Sequence, residues 1–408
     1  MSAITVEPAR RDVRVISLVG IAHGTSHYYQ LAFVTMLLIM RDRAGLSFEQ
    51  IGLLGGMFYG VSGLAQTGAG FAVDRFGARP ILAGGLATIG IAMGLVSMAH
   101  SFAGFVAIAI IAGLGNSIFH PADFALINAS VNQKRLGRAF SIHGLGGSLG
   151  WAAAPVMYFL NDLVGPSGAA LMGAVPGLLM ASLIWTFRND FVDHRVAARA
   201  RAAKGDDPSP MSLFMQGPIL LCLGYFALVA ASSVGIQQFA VPAWHGMFGV
   251  SESFAALCLV VFVVGSAAGV FVGGFFADRV RHHDRVAAIG LLAAAAFTLP
   301  IAMHNIPVFL LMPLLAAGGF SSGMTGPSRD MIVRGTTPPG ASGKVFGFVY
   351  SGLDVGSFLA PPVFGWLMSQ GVPAMIFWIA MVLYLLNAGL VMVIRQASTS
   401  QAVPAAAE

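Results

Sequence analysis

Few side chains in this sequence are suited to proton or ion chemistry, and most of those stand inside long apolar runs. Asp123, Asp354 and Arg329, with Asp330 beside the last, are the charged residues placed deepest in such runs. His23, Ser26, His27 and Gln30 follow at i, i+3, i+4 and i+7, which puts them on one helix face. Asn116, His120 and Asp123 make a second polar stripe, at i, i+4 and i+7. A third stripe joins Asp354 to Tyr350, Ser351 and Ser357, and a fourth segment contributes Ser232, Ser233, Gln237 and Gln238. His143 is an isolated candidate. An ionisable group at such depth is costly, so each is a functional candidate. A desolvated carboxylate is costly as an anion, which suits a group that loads and releases a proton. The alternative for Asp354 is a protonated or hydrogen-bonded packing residue, and for the histidines, bonds to neighbouring helices. His23-x-x-x-His27 is also a spacing at which two imidazoles hold a transition metal, but neither carboxylate nor cysteine nearby completes that set. No metal and no cofactor is therefore expected.

The runs that must position these groups are set by composition. Of 408 residues, 57% are hydrophobic and 10% charged, against about 25% charged in a soluble domain. The chain lacks the charge to cover a water-facing surface of its size, so its solvent is lipid. A membrane helix needs about 20 apolar residues, and unbroken runs of that length exclude the roughly ten-residue alternation of barrel strands. The expected fold is an all-α integral membrane protein with twelve transmembrane helices. They lie near 15–40, 48–72, 80–99, 103–130, 139–160, 166–187, 213–241, 253–277, 286–303, 307–332, 344–369 and 373–395. The first run is too long and too polar for a cleaved signal peptide. Cys222 and Cys258 both lie in apolar runs and imply no disulfide framework. Gly144, Gly147 and Gly150 recur every third residue and read as a helix-packing face. Among the aromatics, Tyr28, Phe33 and Trp244 are candidates to line an apolar site.

One long polar linker, residues 188–212, separates an N-terminal half (1–187) from a C-terminal half (213–408). Counting by side, 20 of the 22 Lys and Arg fall with the termini and this linker, leaving only Arg41 and Arg43 opposite. By the positive-inside rule both termini are cytoplasmic, and the formal charge of +5 reflects that orientation rather than a nucleic-acid partner. The halves also repeat. Gly70-Phe71-x-x-Asp74-Arg75 returns at an offset of 204 as Gly274-Phe275-x-x-Asp278-Arg279. Pro121, Gly137, Phe140, Gly150, Ala154 and Pro155 return at an offset of 206 as Pro327, Gly343, Phe346, Gly356, Ala360 and Pro361. Two six-helix bundles in parallel repeat point to a transporter with its site where the halves meet. At this offset Arg329 is the counterpart of Asp123. The two are expected to pair, directly or through water, near the cytoplasmic side of the cavity when that side closes and to separate when it opens, the alternative being local partners such as Asp330 with Arg334.

The segment Gly70-Phe-Ala-Val-Asp74-Arg75-Phe-Gly77-Ala-Arg79 resembles the helix 2–3 signature of the major facilitator superfamily, with a degenerate copy at Asp278-Arg279. Ser26-His27 with Gln30, and Phe119-His120-Pro121-Ala122, resemble the fosmidomycin-resistance type of drug exporter. The resemblance implies alternating access, a cavity lined by helices 1, 4, 7 and 10, and a cytoplasmic latch at Asp74, Arg75, Gly77, Arg79, Asp278 and Arg279. Arg75 and Arg79 read otherwise as orientation charges alone. Two departures stand out: Phe105–Phe119 carries no basic residue, where the family often has an arginine linked to proton coupling. The antiporter pattern of helix 5 is only partly met, with Ala154 for a glycine and Tyr158-Phe159 for paired glycines. The expected function is proton-coupled efflux of a small amphipathic or weakly anionic solute by a monomer in the inner (plasma) membrane. The alternative is uptake of a small organic acid with Arg329 as its anchor. No clustered nucleophile marks an enzyme, and no phosphate-binding loop provides for ATP.

Overall fold

Apolar runs punctuated by glycine and proline give helices throughout, and among the described residues there is no strand. The computed structural model describes residues 8–132, 135–192, 214–277, 279–337 and 342–402. In chain order the helices are α1 (Pro8–Ala44), α2 (Phe48–Phe76), α3 (Ala78–Leu95), α4 (Phe102–Asn116), α5 (Phe119–Ser130), α6 (Leu136–Ala153) and α7 (Val156–Thr186). They continue as α8 (Gly217–Phe248), α9 (Glu252–Ala277), α10 (His283–Ala302), α11 (Leu311–Thr336), α12 (Ser342–Ser369) and α13 (Ala374–Ala402). Among the described residues, eight helical segments are long and apolar enough to cross a membrane: Ala78–Met98, Phe102–Ser130, Val156–Thr186, Gly217–Phe248, Glu252–Ala277, His283–Ala302, Val308–Thr336 and Ala374–Ala397. The protein is thus a multi-pass membrane protein. Large apolar side chains such as Leu64 and Leu163 stand exposed, 86% and 79%, as helices facing acyl chains require.

Local chemistry sets the boundaries. Ser47 and Gln50 cap α2 reciprocally, Gln50 N–H donating to Ser47 Oγ at 3.1 Å and Ser47 N–H to Gln50 Oε1 at 3.0 Å. The expected fourth span is one membrane segment, Phe102–Ser130, with a local irregularity at Ser117–Ile118 that divides it into α4 and α5. Pro121 falls in the first turn of α5, where its missing N–H costs nothing. The expected boundary between spans five and six lies inside α7, at Gly165. Its φ of 73° and ψ of 174° are open only to glycine, and Pro166 follows it.

The chain folds as two units, Met1–Leu46 with Met57–Asp206 and Ser47–Gly56 with Asp207–Glu408. In the first, α1 packs on α6 and α3 on α7; in the second, α8 packs on α12 and α10 on α13, while α9 lies along α11. The α1–α6 seam is a close approach of backbones. A Cβ on Gly24 would lie 2.8 Å from the Gly146 carbonyl, and Gly150 is pressed against Gly24. The spacing that matters is therefore Gly146–Gly150, four residues rather than the expected three. Gly144 faces open space, and Gly147 faces the imidazoles of His23 and His27. The second unit repeats the seam at the same offset: Gly352 and Gly356 of α12 abut the carbonyls of Leu223 and Ala227 on α8.

Candidate functional site

The α1–α6 seam and the fourth span bring two of the sequence's polar stripes, and the isolated His143, together inside the first unit. Asp123, on α5, is fully buried. Its Oδ2 is 3.1 Å from His143 Nε2, a hydrogen bond, and 3.4 Å from His23 Nδ1, close but not aligned for one. Its Oδ1 has no hydrogen-bond partner among the described residues. The His23 and His143 rings stack, centroids 3.6 Å apart and planes 19° from parallel. His27 lies 4.4 Å from His23 and half-buried, while His120 lies 5.4 Å from His23 and is exposed. The cluster thus runs from a dry carboxylate to an accessible imidazole. His143, which nothing in the sequence tied to the other stripes, is central to it.

Two polar chains leave this cluster. Trp151 Nε1 donates to Gln30 Oε1 at 3.2 Å, and the indole packs 4.4 Å from the His27 ring. On the other side Ser26 Oγ donates to Asn116 Oδ1 at 3.1 Å, and Asn116 Nδ2 donates to Ser62 Oγ at 2.8 Å. This bridge ties α1, α2 and α4 to one another. Trp151 and Ser62 are missing from the sequence-derived candidates. Tyr28, Phe33 and Trp244, proposed as lining, are instead packed in: Tyr28 donates to Met157 Sδ at 2.9 Å, Phe33 stacks on Phe58, and Trp244 stacks on Phe377.

The arrangement suits a single shared proton. Two imidazolium rings 3.6 Å apart would repel by about 5 kcal/mol at an effective dielectric near 20, whereas one imidazolium beside Asp123 is neutralised. Ligand atoms of His23, Asp123 and His143 also lie within 4.8 Å of one another, a metal-like spacing. An imidazole holds a metal in its own ring plane, however, and two nearly parallel stacked rings do not aim lone pairs at one point. The geometry fits a proton better than an ion.

In the second unit the polar groups are more dispersed. Arg329 Nε donates to Asp330 Oδ1 at 3.1 Å. Its guanidinium lies 4.3 Å over the Phe226 ring and 5.8 Å from that of Tyr350, with Phe226 and Tyr350 4.8 Å apart. Within its own unit Asp123 bonds His143, and within the other Arg329 bonds Asp330. The local partner of Asp330 is the adjacent Arg329, where the sequence offered Arg334. Asp354 and Gln237 are half-buried, and Gln238 is buried with neither amide atom hydrogen-bonded among the described residues.

Of the latch residues, the side chain of Asp74 and the whole of Asp278 lie outside the described residues. Gly77 has a φ of 98°, which lets the chain turn from α2 into α3. Arg75 is exposed over Phe76 at 5.3 Å. Arg79 Nη1 donates to the Arg188 carbonyl at 2.8 Å, and the Arg279 amide to the Phe276 carbonyl at 3.0 Å. Nearby are two ion pairs that counting charge for orientation did not reveal: Arg135 with Asp12 at 3.0 Å and Arg14 with Asp190 at 2.9 Å.

A multi-pass helical membrane protein with a buried carboxylate–imidazole cluster has the general build of a transport protein. The model of the Major Facilitator Superfamily matches residues 16–244 and 221–408. The chain belongs to this superfamily, a family of non-enzymatic transport proteins. It is 25% identical over 308 residues to the fosmidomycin resistance protein of Escherichia coli, covering 73% of each chain. It is 26% identical over 273 residues to a probable 4-methylmuconolactone transporter of Cupriavidus pinatubonensis, covering 65% of this chain and 62% of the other. Its fold matches a bacterial homolog of the human lysosomal transporter Spinster with a TM-score of 0.77, at 15% identity, over 96% of this chain and 98% of that one.

Proposed function

We propose that the chain is a twelve-helix secondary transporter in which two six-helix halves, 1–187 and 213–408, alternate access around the linker 188–212. It exports a small amphipathic or weakly anionic solute in exchange for protons, as a monomer in the inner membrane with both termini cytoplasmic. The observation that carries the coupling is the Asp123 cluster: a fully buried carboxylate with an orphaned oxygen, two stacked imidazoles against it, and exposed His120 leading outward. A group so placed exchanges its proton only when the surrounding helices admit water, which is what coupling to a conformational cycle requires. The likeness to the fosmidomycin resistance protein supports efflux. The Gly77–Arg79 turn and its charged neighbours serve as the latch that holds one state. A second reading, uptake of a small organic acid, draws on Arg329, a cation flanked by two aromatic rings, and on the lactone transporter among the relatives.

The test is a proteoliposome assay on the purified protein, with a pH gradient imposed in each direction. The panel contains fosmidomycin and small carboxylic acids and lactones. Counterflow of a panel compound against protons is expected. Transport indifferent to both gradients would remove the coupling, and co-directional movement of an acid with protons would favour uptake.

A further inference from the structure

Outside the polar cluster, the first unit carries a groove of about 510 Å³ between α3 and the end of α7, lined by Pro80, Ala83, Gly84, Ser182, Trp185 and Thr186. A Cβ on Gly84 would meet nothing within 4 Å. The two hydroxyls in the wall are already engaged along their own helix, Ser182 Oγ donating to the Leu178 carbonyl at 2.9 Å and Thr186 Oγ1 to the Ser182 carbonyl at 2.8 Å. The groove is therefore apolar in effect, and it opens on helices apolar enough to cross a membrane.

Its mouth is cationic. Arg79, next in sequence to the lining residue Pro80, donates through Nη1 to the Arg188 carbonyl at 2.8 Å, with its Nε buried and unpartnered among the described residues. Arg188 is exposed, its guanidinium 5.8 Å from the ring of Trp185. Among the described residues neither guanidinium has a carboxylate: the nearby Asp190 side chain is taken by Arg14. The second unit solves the same junction differently. There the start of α10 and the end of α13 are joined by an internal ion pair, Arg395 Nη1 to Asp284 Oδ2 at 2.7 Å. Where the second unit joins these helix ends by an ion pair, the first has two arginines with no carboxylate partner among the described residues, beside an apolar groove and an exposed tryptophan.

We propose that this groove binds an anionic glycerophospholipid, its phosphate between Arg79 and Arg188 and an acyl chain along Gly84 and Trp185. Basic pockets between membrane helices are suited to such headgroups, and tryptophan favours that depth. The apolar wall commits the site to a lipid over a soluble phosphate. The inference is independent of the transported solute; Arg79 also belongs to the latch proposed above, whereas Arg188 does not, so Arg188→Gln carries the test.

The test uses the full chain in dioleoylphosphatidylcholine vesicles doped with brominated phosphatidylglycerol or brominated phosphatidylcholine. Trp185 fluorescence is taken as the difference between the wild type and Trp185→Phe. Each arginine at a membrane surface favours an anionic headgroup by about fivefold, so the phosphatidylglycerol is expected to quench at about one tenth the mole fraction or less. Arg188→Gln leaves the helix tie intact, because the acceptor is a backbone carbonyl, and should cut the preference about fivefold. Arg79→Gln/Arg188→Gln should abolish it. Equal quenching by the two lipids in the wild type, or a preference unchanged in Arg188→Gln, overturns the site. So does loss of the preference on adding millimolar inorganic phosphate at constant ionic strength.

Discussion

Asp123→Asn preserves the shape of the side chain while removing its charge, so it separates the proton chemistry of the cluster from its packing. The amide still offers an oxygen to His143 Nε2, now 3.1 Å from Oδ2, and the helix break that positions α5 is untouched. What is lost is the counter-charge for an imidazolium. At 3.1 Å that attraction is about 5 kcal/mol at an effective dielectric near 20. Removing one partner of a buried pair typically costs about 3–5 kcal/mol. With a tenfold change for each 1.4 kcal/mol, occupancy of the protonated cluster should fall on the order of 10²- to 10³-fold. In proteoliposomes, accumulation driven by a pH gradient should collapse to background. Solute exchange at equal pH, which needs the conformational cycle but no net proton, should persist within a few-fold. Asp354→Asn is the comparison, expected to keep gradient-driven transport because no imidazole cluster depends on it. Full gradient-driven transport in Asp123→Asn, or loss confined to Asp354→Asn, would show that the proton is carried elsewhere.

Three further outcomes follow from the same geometry. In Gly147→Ala the new methyl lies 3.1 Å from His23 Nε2 and from His27 Nδ1, so the stack must shift. A stability loss of about 1–3 kcal/mol and a slowed transport rate are expected in denaturation and uptake assays, against near-neutrality for Gly144→Ala, which meets open space. Asn116→Ala strands the hydroxyls of Ser26 and Ser62 and should destabilise by about 1–3 kcal/mol, with Ser62→Ala costing less in the same unfolding measurement. Arg329→Gln should raise the KM of anionic panel compounds at least tenfold while leaving neutral ones unchanged; equal effects on both would argue against a role in binding anions.

The helices were legible because lipid imposes a strict rule, about 20 apolar residues per crossing, that shows in one dimension. The site was legible only in pieces. His23, His27, His120 and Asp123 each stood out as a polar group in an apolar run, but helical periodicity says which residues share a face, not which faces meet. The meeting depends on the α1–α6 seam, where Gly24 lies against Gly146 and Gly150 and so brings His143 onto the His23 ring. That pairing is long-range and leaves no local trace. Trp151 and Ser62 escaped because each is an unremarkable residue until a partner arrives from another helix. Asp12–Arg135 and Arg14–Asp190 were hidden differently, among arginines whose number alone explains orientation. The break at Ser117–Ile118 had a signal in Pro121, but its counterpart Pro327 sits inside unbroken α11. Proline alone therefore does not decide between the two outcomes.

That last contrast bears on how duplication and chemistry relate in this protein. The seam is the same in both halves, Gly146 and Gly150 recurring as Gly352 and Gly356 against the paired helix. The chemistry beside it is not. Where the first half places Asp123, the second places Arg329, and where the first places His143, the second has the buried apolar Val349. Asp354 in turn answers Ser148. The duplicated scaffold thus offers equivalent positions near each seam, and the two halves have filled them with charges of opposite sign: a carboxylate among imidazoles in one, a guanidinium among aromatic rings in the other. On the function proposed above, the first set would hold the proton and the second an anionic solute. Each group has a bonding partner within its own unit, Asp123 with His143 and Arg329 with Asp330. On this reading, coupling lies in the helix movements that both bias rather than in direct contact between them.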